Sequence, residues 1–163
     1  MPDTPSSPYW FADPAVVAVL RSEARLWLGT PFCLHAQARG SGVDCVHLVH
    51  ALAAATGWPH DLRPPPYTAQ NTQHDHQSLL HDYLDAAEHI TRVGDWENAR
   101  AAIQPGDLVT FRIGQAAHHI GMVLRAPEFV HVMSKHVVKT SRLDDPTYGE
   151  RALRVYRLLN PAR

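Results

Sequence analysis

The stretch Gly42-Val-Asp-Cys-Val-His-Leu-Val-His-Ala-Leu-Ala-Ala-Ala-Thr-Gly57 places a cysteine at the start of an apolar segment. After Cys45 the apolar residues recur at helical spacing without an internal Gly or Pro, which predicts a helix that Gly57 ends. Asp44 is a natural N-cap for this helix. Because a thiol at a helix N-terminus faces unpaired N–H groups and the positive end of the helix dipole, we expect Cys45 to be a nucleophile of lowered pKa. Position alone fits a buried structural cysteine equally well.

The segments on either side of this helix predict an α+β domain. Upstream, Asp13 and Pro14 form a cap and first-turn pair for a helix that ends at Gly29. Downstream, a weaker helical pattern covers residues 78–90, and the whole stretch from residue 60 to residue 95 is a candidate lid. Short β-rich segments follow and predict an antiparallel sheet: residues 108–113, 119–124, 129–133, 137–140 and 153–158.

Helices followed by strands favour a single α+β domain over a βαβ fold. We expect this domain to cover residues 13–163, with residues 1–12 as a flexible N-terminal arm. The 15 Lys and Arg residues nearly balance the 16 Asp and Glu residues, which argues against a nucleic-acid partner and a polybasic membrane patch. No apolar run approaches the roughly 20 residues of a spanning helix, and the first residues lack the pattern of a signal peptide. We therefore expect cytoplasmic synthesis and no membrane partner.

The twelve histidines could indicate a metal site or a histidine-based active site. Most are expected to be solvated, including four in a polar stretch: His74, His76, His81 and His89. Of the two cysteines, which lack C-x-x-C spacing, Cys33 lies in a loop and is expected to be inert.

Two histidines on neighbouring predicted strands are the exception. Because side chains alternate along a strand, His119 and His131 share a face if cross-strand partners have residue numbers of even sum. An odd-length loop, for instance residues 125–127, would give that register. Gly121 is then opposite His131 and leaves space between the two imidazoles, whereas His118 points to the other face.

Cys45, His119 and His131 complete a nucleophile, base and orienter set. We predict that His119 pairs with the Cys45 thiolate and protonates the leaving amine, while His131 fixes the tautomer of His119. His136 is a rival orienter, because the strand that follows it could bring it alongside. A metal site of His118, His119 and His131 is disfavoured by strand alternation, so neither a metal nor a cofactor is predicted.

Several motifs, in this order, resemble those of the NlpC-type cell-wall peptidases, which are papain-like cysteine hydrolases that cut peptidoglycan stem peptides: Trp27–Phe32, Gly42–Val46, Gln104–Val109, His119–Val123 and Phe129–His131. The resemblance runs from about Leu26 to Leu158. It implies a papain-like fold, in which N-terminal helices pack on a C-terminal antiparallel sheet. It also implies the same three roles for Cys45, His119 and His131.

The resemblance further implies a substrate, a peptidoglycan peptide or related small amide, cut between γ-D-glutamate and a diamino acid through a Cys45 thioester. Within the family the chain is most similar to compact peptidases encoded with phage tail genes, which implies phage-tail partners and a virion-associated location. Phe32 stands where the family often has Tyr, and Val46 where it often has Ser. Asp44 and Phe32 are the candidate substrate-binding residues, Asp44 for a free amine. The alternatives are a non-catalytic tail or wall-binding module and a thiol acyltransferase.

Overall fold

The computed structural model describes residues 7–63, 78–114 and 116–161. The helices are α1 (Pro14–Trp27), α2 (Cys45–Ala55), α3 (Leu79–Ala86), α4 (Trp96–Ala99) and α5 (Pro146–Gly149). Single 3-10 turns cover Trp10–Ala12 and Arg100–Ala102. The strands are β1 (Gln37–Ala38), β2 (Gly42–Val43), β3 (Ile90–Asp95), β4 (Leu108–Ile113), β5 (Ala116–Arg125), β6 (Glu128–His131), β7 (Lys139–Arg142) and β8 (Ala152–Leu158).

The predicted α+β architecture is confirmed. Six strands form an antiparallel sheet in the order β3-β8-β4-β5-β6-β7, and β1 and β2 form a separate two-stranded hairpin. Helix α1 begins as expected, because the Asp13 side chain accepts a hydrogen bond from the Ala15 N–H and Pro14 occupies the first turn. No helix in the described ranges is long and apolar enough to cross a membrane.

The sheet is covered on both faces. On one face α1 and α2 pack against a large core to which the strands contribute Leu108, Ile120, Met122, Val130 and Tyr156. The alternate residues of the same strands form a second, smaller core on the other face, with Val109, Phe111, Val123, Phe129 and Val155. His119 lies an even number of residues from Val123 on β5, and His131 lies an even number from Phe129 on β6. Because side chains alternate along a strand, both histidine side chains belong to the second face.

The structure differs from the sequence prediction over residues 78–95. Helix α3 ends at Ala86, and strand β3 begins at Ile90, which is buried and pairs with Leu158. His81 is buried too, and its Nε2 lies 2.8 Å from Thr110 Oγ1, so the prediction that it is solvated is wrong. Helix α3 therefore packs against the sheet and β3 is one of its strands, so residues 78–95 do not form a separate lid. Residues 64–77 of the candidate lid, with His74 and His76, lie outside the described residues.

The expected flexible arm also differs from the structure, over residues 7–12. Tyr9 bridges to Leu159, and the Trp10 indole N–H donates to Thr56 Oγ1 at 2.8 Å. Phe11 is buried so closely against Gly106 that a Cβ there would overlap its ring. Burial of aromatic side chains fixes this segment against the domain. The prediction of a flexible arm rested on its Pro and Ser content and did not consider these aromatic residues. Residues 1–6 lie outside the described residues.

Candidate active site

Cys45 lies at the first position of α2, where the sequence predicted it. Asp44 is the N-cap, and its Oδ1 accepts a hydrogen bond of 2.8 Å from the backbone N–H of His47. Helix α2 packs on β5, and the backbone N–H of Ile120, the residue after His119, acts on the Cys45 sulfur. The fold therefore brings the thiol to the strand that carries the predicted base.

The protonation of Cys45 does not follow the sequence prediction. Burial raises the pKa of Cys45 to about 12, and the negative charge of Asp44 acts in the same direction. The backbone N–H groups of Ile120, Val46 and Cys45 itself lower this pKa, but they do not offset the desolvation of a thiolate. The prediction of a lowered pKa is therefore wrong for the free protein, since Cys45 is only 8% exposed.

His119 and His131 are in direct contact. Met122 pairs with Val130 and Val123 with Phe129, which is the predicted even-sum register. The register arises from a bulge between Val123 and Arg125, not from a three-residue loop; one extra residue in one strand changes the parity just as an odd loop does. Nε2 of His119 lies 2.8 Å from Nδ1 of His131, and both rings are buried.

Aromatic rings enclose this histidine pair. A Cβ at Gly121 would lie 2.7 Å from Cδ2 of Phe129, so the space that Gly121 leaves is filled by that ring and is not open as predicted. The centroid of Phe129 is 4.6 Å from that of His131, and Phe111 is 5.4 Å from His119. Burial in this setting lowers the pKa of His119 to about 4 and the pKa of His131 to about 3. Both imidazoles are therefore neutral at pH 7.

Ser141 is a further member of the site that the sequence did not reveal. Its Oγ lies 2.8 Å from Nε2 of His131, on the side of that ring away from His119. Nothing local marks this serine, since it follows the predicted strand segment and belongs to no motif. The rival orienter His136 is exposed, and its backbone carbonyl accepts a hydrogen bond from the Phe32 N–H at 2.9 Å. Thus His131, and not His136, is the histidine in contact with His119.

The substrate-side candidates border the start of α2. Asp44 is buried, and its carboxylate accepts hydrogen bonds from the N–H of His47, from the His47 ring at Nδ1 (2.7 Å) and from the N–H of His35 (2.7 Å). Phe32 is half-buried and forms a parallel bridge with Val43. Asp44 therefore fastens the loop that carries Phe32 and His35 to the helix start.

The remaining sequence candidates have structural positions. Cys33 is exposed, and a Cβ on Gly42 would lie 2.6 Å from its Cβ, so glycine permits the close turn that precedes Cys45. Val46 is buried in the larger core. Within residues 7–63, 78–114 and 116–161, no three His, Cys, Asp or Glu side chains are placed to hold a metal ion.

A cysteine at the start of a helix, packed on an antiparallel sheet that supplies a contacting histidine pair, defines the papain-like cysteine peptidase fold. Residues 29–157 match the model of the NlpC/P60 family. The chain belongs to that family.

Known proteins similar to this chain agree with the assignment. It is 24% identical over 144 residues to a probable endopeptidase of Haemophilus influenzae, an alignment covering 87% of this chain and 74% of the relative. A lipoprotein-like NLP/P60 family protein of Staphylococcus aureus matches with a TM-score of 0.65, 19% identity and coverage of 97% of this chain and 46% of that one. The peptidoglycan hydrolase RipB of Mycobacterium tuberculosis matches with a TM-score of 0.56, 17% identity and coverage of 90% and 66%.

An NlpC/P60 family protein of Bacillus cereus also matches, with a TM-score of 0.62, 18% identity and coverage of 88% of this chain and 40% of that one. This chain thus spans less than half the length of the Staphylococcus and Bacillus proteins. At these identities the structural likeness establishes the fold.

Proposed function

We propose that this protein is a cysteine peptidase that cleaves an amide bond of peptidoglycan stem peptides, with Cys45 as nucleophile, His119 as base and His131 as orienter. The observation that carries the proposal is the 2.8 Å hydrogen bond between Nε2 of His119 and Nδ1 of His131, on the strand that contacts Cys45. Family membership supports the reaction class. The endopeptidase and peptidoglycan hydrolase among the similar proteins support the substrate class.

The contacts of His119 support Nδ1 as the nitrogen that acts as the base. Nε2 is engaged with His131, whereas Nδ1 makes no hydrogen bond to another residue in the described part of the chain. Nδ1 is therefore the nitrogen available to the Cys45 thiol. His131 holds the His119 ring through the Nε2 atom of His119. When His119 becomes a cation, His131 accepts the hydrogen bond from that Nε2–H, which is the role of an orienter.

Proton transfer accompanies attack, because both groups are neutral at rest. The pKa values of about 12 for Cys45 and about 4 for His119 mean a neutral thiol and a neutral imidazole at pH 7. As the sulfur bonds to the carbonyl carbon, its proton passes to Nδ1 of His119. The imidazolium then donates that proton to the leaving amine, the C–N bond breaks, and a Cys45 thioester remains.

Water completes the turnover. His119 takes a proton from water, the resulting hydroxide adds to the thioester carbonyl, and the C–S bond breaks to release the acid. The thiolate recovers its proton from His119. Backbone N–H groups at the start of α2 are positioned by the Asp44 cap, and we assign the oxyanion to them because they lie beside the sulfur.

For the substrate we infer the bond between γ-D-glutamate and a diamino acid. The Asp44 carboxylate accepts hydrogen bonds and its negative charge acts on Cys45, so it favours a cationic group, such as the free amine of a stem peptide, near Cys45. Phe32 lies near the same end of α2, where it bridges to Val43, without the hydroxyl of the tyrosine often found there. The phage-tail partners and the virion-associated location implied by sequence stay predictions.

The test is hydrolysis of defined stem-peptide fragments by purified protein, with products identified by mass spectrometry. We expect one cut, between γ-D-glutamate and the diamino acid, that is abolished in Cys45→Ser and retained in Cys33→Ser, which removes the exposed thiol instead. Undiminished hydrolysis by Cys45→Ser would refute the nucleophile. Cleavage of a different bond would refute the substrate assignment, and transfer to an added amine would identify an acyltransferase.

A further inference from the structure

The hydrogen bonds of His119 continue beyond its partner. Nε2 of His119 lies 2.8 Å from Nδ1 of His131, and Nε2 of His131 lies 2.8 Å from Oγ of Ser141. Ser141 is on β7, opposite Phe129 and therefore on the face of the sheet that carries both histidines. We call His119, His131 and Ser141 the histidine relay.

Proton counting limits the arrangements of this relay. A hydrogen bond between two imidazoles holds one proton, so either His119 or His131 is the donor. If His131 donates from Nδ1, neutral His119 carries its proton on Nδ1 and cannot accept another there. If His119 donates from Nε2, its Nδ1 is free to take the Cys45 proton, and neutral His131 carries its proton on Nε2, aimed at Ser141.

We propose that Ser141 is a positioning residue that accepts the Nε2–H of His131, and so supports the tautomer and the protonated form of His119 that proton transfer from Cys45 requires. The second half of this inference rests on the proposed function; the proton arrangement does not. When His119 becomes a cation, both of its nitrogens carry protons, and the charge polarises each hydrogen bond along the relay. The hydroxyl oxygen of Ser141 is the acceptor at its end.

The surroundings of His131 make that acceptor important. The ring is fully buried, with Phe129 and Tyr148 centroids 4.6 Å and 5.0 Å away. Three other ionisable groups act on it, namely His119 from β5, Lys139 from β7 and His136 from the adjoining loop, and each disfavours a positive charge. Cys45, at the start of α2, is a neutral thiol and is not among the groups that act on His131. Without Ser141, a buried N–H of His131 would lose its partner where no carboxylate in the described contacts replaces it.

The proposal is tested with three variants and two readouts. Ser141→Ala removes the hydroxyl, and Ser141→Thr restores it. Thr140→Ala removes a hydroxyl from the neighbouring, exposed position of β7, whose side chain points to the other face. The first readout is nitrogen-15 NMR of the imidazoles during a pH titration, which gives the tautomer of His131 and the pKa of His119 in the absence of substrate. The second is the pH profile of kcat/KM on a defined stem-peptide fragment.

We expect His131 of the unmodified protein to carry its proton on Nε2. In Ser141→Ala we expect the pKa of His119 to fall further below 6.5 and kcat/KM at neutral pH to fall about tenfold, the scale of one hydrogen bond to a charged group. KM should change little. Ser141→Thr should recover most of the loss, and Thr140→Ala should behave like the unmodified protein.

A merely structural role predicts the opposite sign. If Ser141→Ala only loosened the site, water would reach His119 and its pKa would rise toward 6.5, because burial is what lowers it. That rise, an Nδ1–H tautomer of His131, or an equal loss in Thr140→Ala would overturn the proposal. If the unmodified protein cut no stem peptide but showed the expected tautomer and titration, the proposed function would fail while the proton arrangement stood.

Discussion

Gly121→Ala is the single-methyl change that tests most directly how the histidine pair is built. The added Cβ would lie 2.7 Å from Cδ2 of Phe129 and 3.1 Å from the carbonyl oxygen of Val130. Ordinary contacts begin at 3.4 Å, so the ring must retreat by about 0.7 Å (3.4 minus 2.7). The ring cannot do so freely, because Phe129 is fully buried and stacks on Phe111 with centroids 5.2 Å apart.

Overpacking of this kind costs about 1–3 kcal/mol. In a chain of this size that corresponds to a melting temperature lower by about 2–12 °C. Activity should fall as well, chiefly in kcat, because Phe129 lies against His131 and its displacement disturbs the hydrogen bond to His119. Thermal unfolding by circular dichroism and hydrolysis of a stem-peptide fragment measure the two effects.

Gly94→Ala is the matched control. The same methyl on Gly94, in edge strand β3, would lie 3.6 Å from Cβ of Ala99, which is an ordinary contact. It should leave stability unchanged or raise it slightly, since alanine restricts the unfolded chain. If Gly121→Ala were as stable and active as Gly94→Ala, the close packing of Phe129 over Gly121 would be refuted.

Three other perturbations have outcomes that follow from charge and burial. Stability should fall between pH 6.5 and about 4 in acid denaturation followed by fluorescence, because His119 is neutral when folded but binds a proton when unfolded; above 6.5 its contribution is fully present. Asp107→Ala should destabilise the fold by about 3–5 kcal/mol in urea, because it leaves the buried Arg157 guanidinium without the carboxylate that accepts two hydrogen bonds from it at 2.7 and 2.8 Å. Asp44→Asn should lower the pKa of the Cys45 thiol by removing a neighbouring negative charge, as measured by thiolate absorbance against pH.

Each of these outcomes has a control. For acid denaturation, a free energy of unfolding that stays constant from pH 6.5 to 4 would contradict the burial of a neutral His119 imidazole. Asp144→Ala breaks the exposed ion pair with Arg142 and should not measurably change the urea midpoint, so an equal loss there would contradict the importance of burial at Asp107. The thiolate titration is made in a Cys33→Ser background, and an unchanged or higher pKa in Asp44→Asn would show that the charge of Asp44 is not felt at the sulfur.

Local signals in the chain were sufficient to predict where α1 and α2 begin and which segments carry Cys45, His119 and His131. Asp13 and Asp44 are N-caps in the structure as in the prediction, because a cap depends on residues within one turn. The shared face of His119 and His131 followed from strand parity, which depends only on alternation and on one register. The family motifs added the fold in which these segments meet.

Features that depend on contacts between residues far apart in the chain could not be predicted from these local signals. Strand β3 forms because Ile90 finds a partner in Leu158, far along the chain, and Ser141 joins the relay only because β7 pairs with β6. The sequence alone predicted Cys45 at the start of a helix and its base, His119, on a strand. From this we predicted that Cys45 is a thiolate. Only the tertiary structure decided the protonation state, because the charge of a thiol depends on the water that the packed core removes from it.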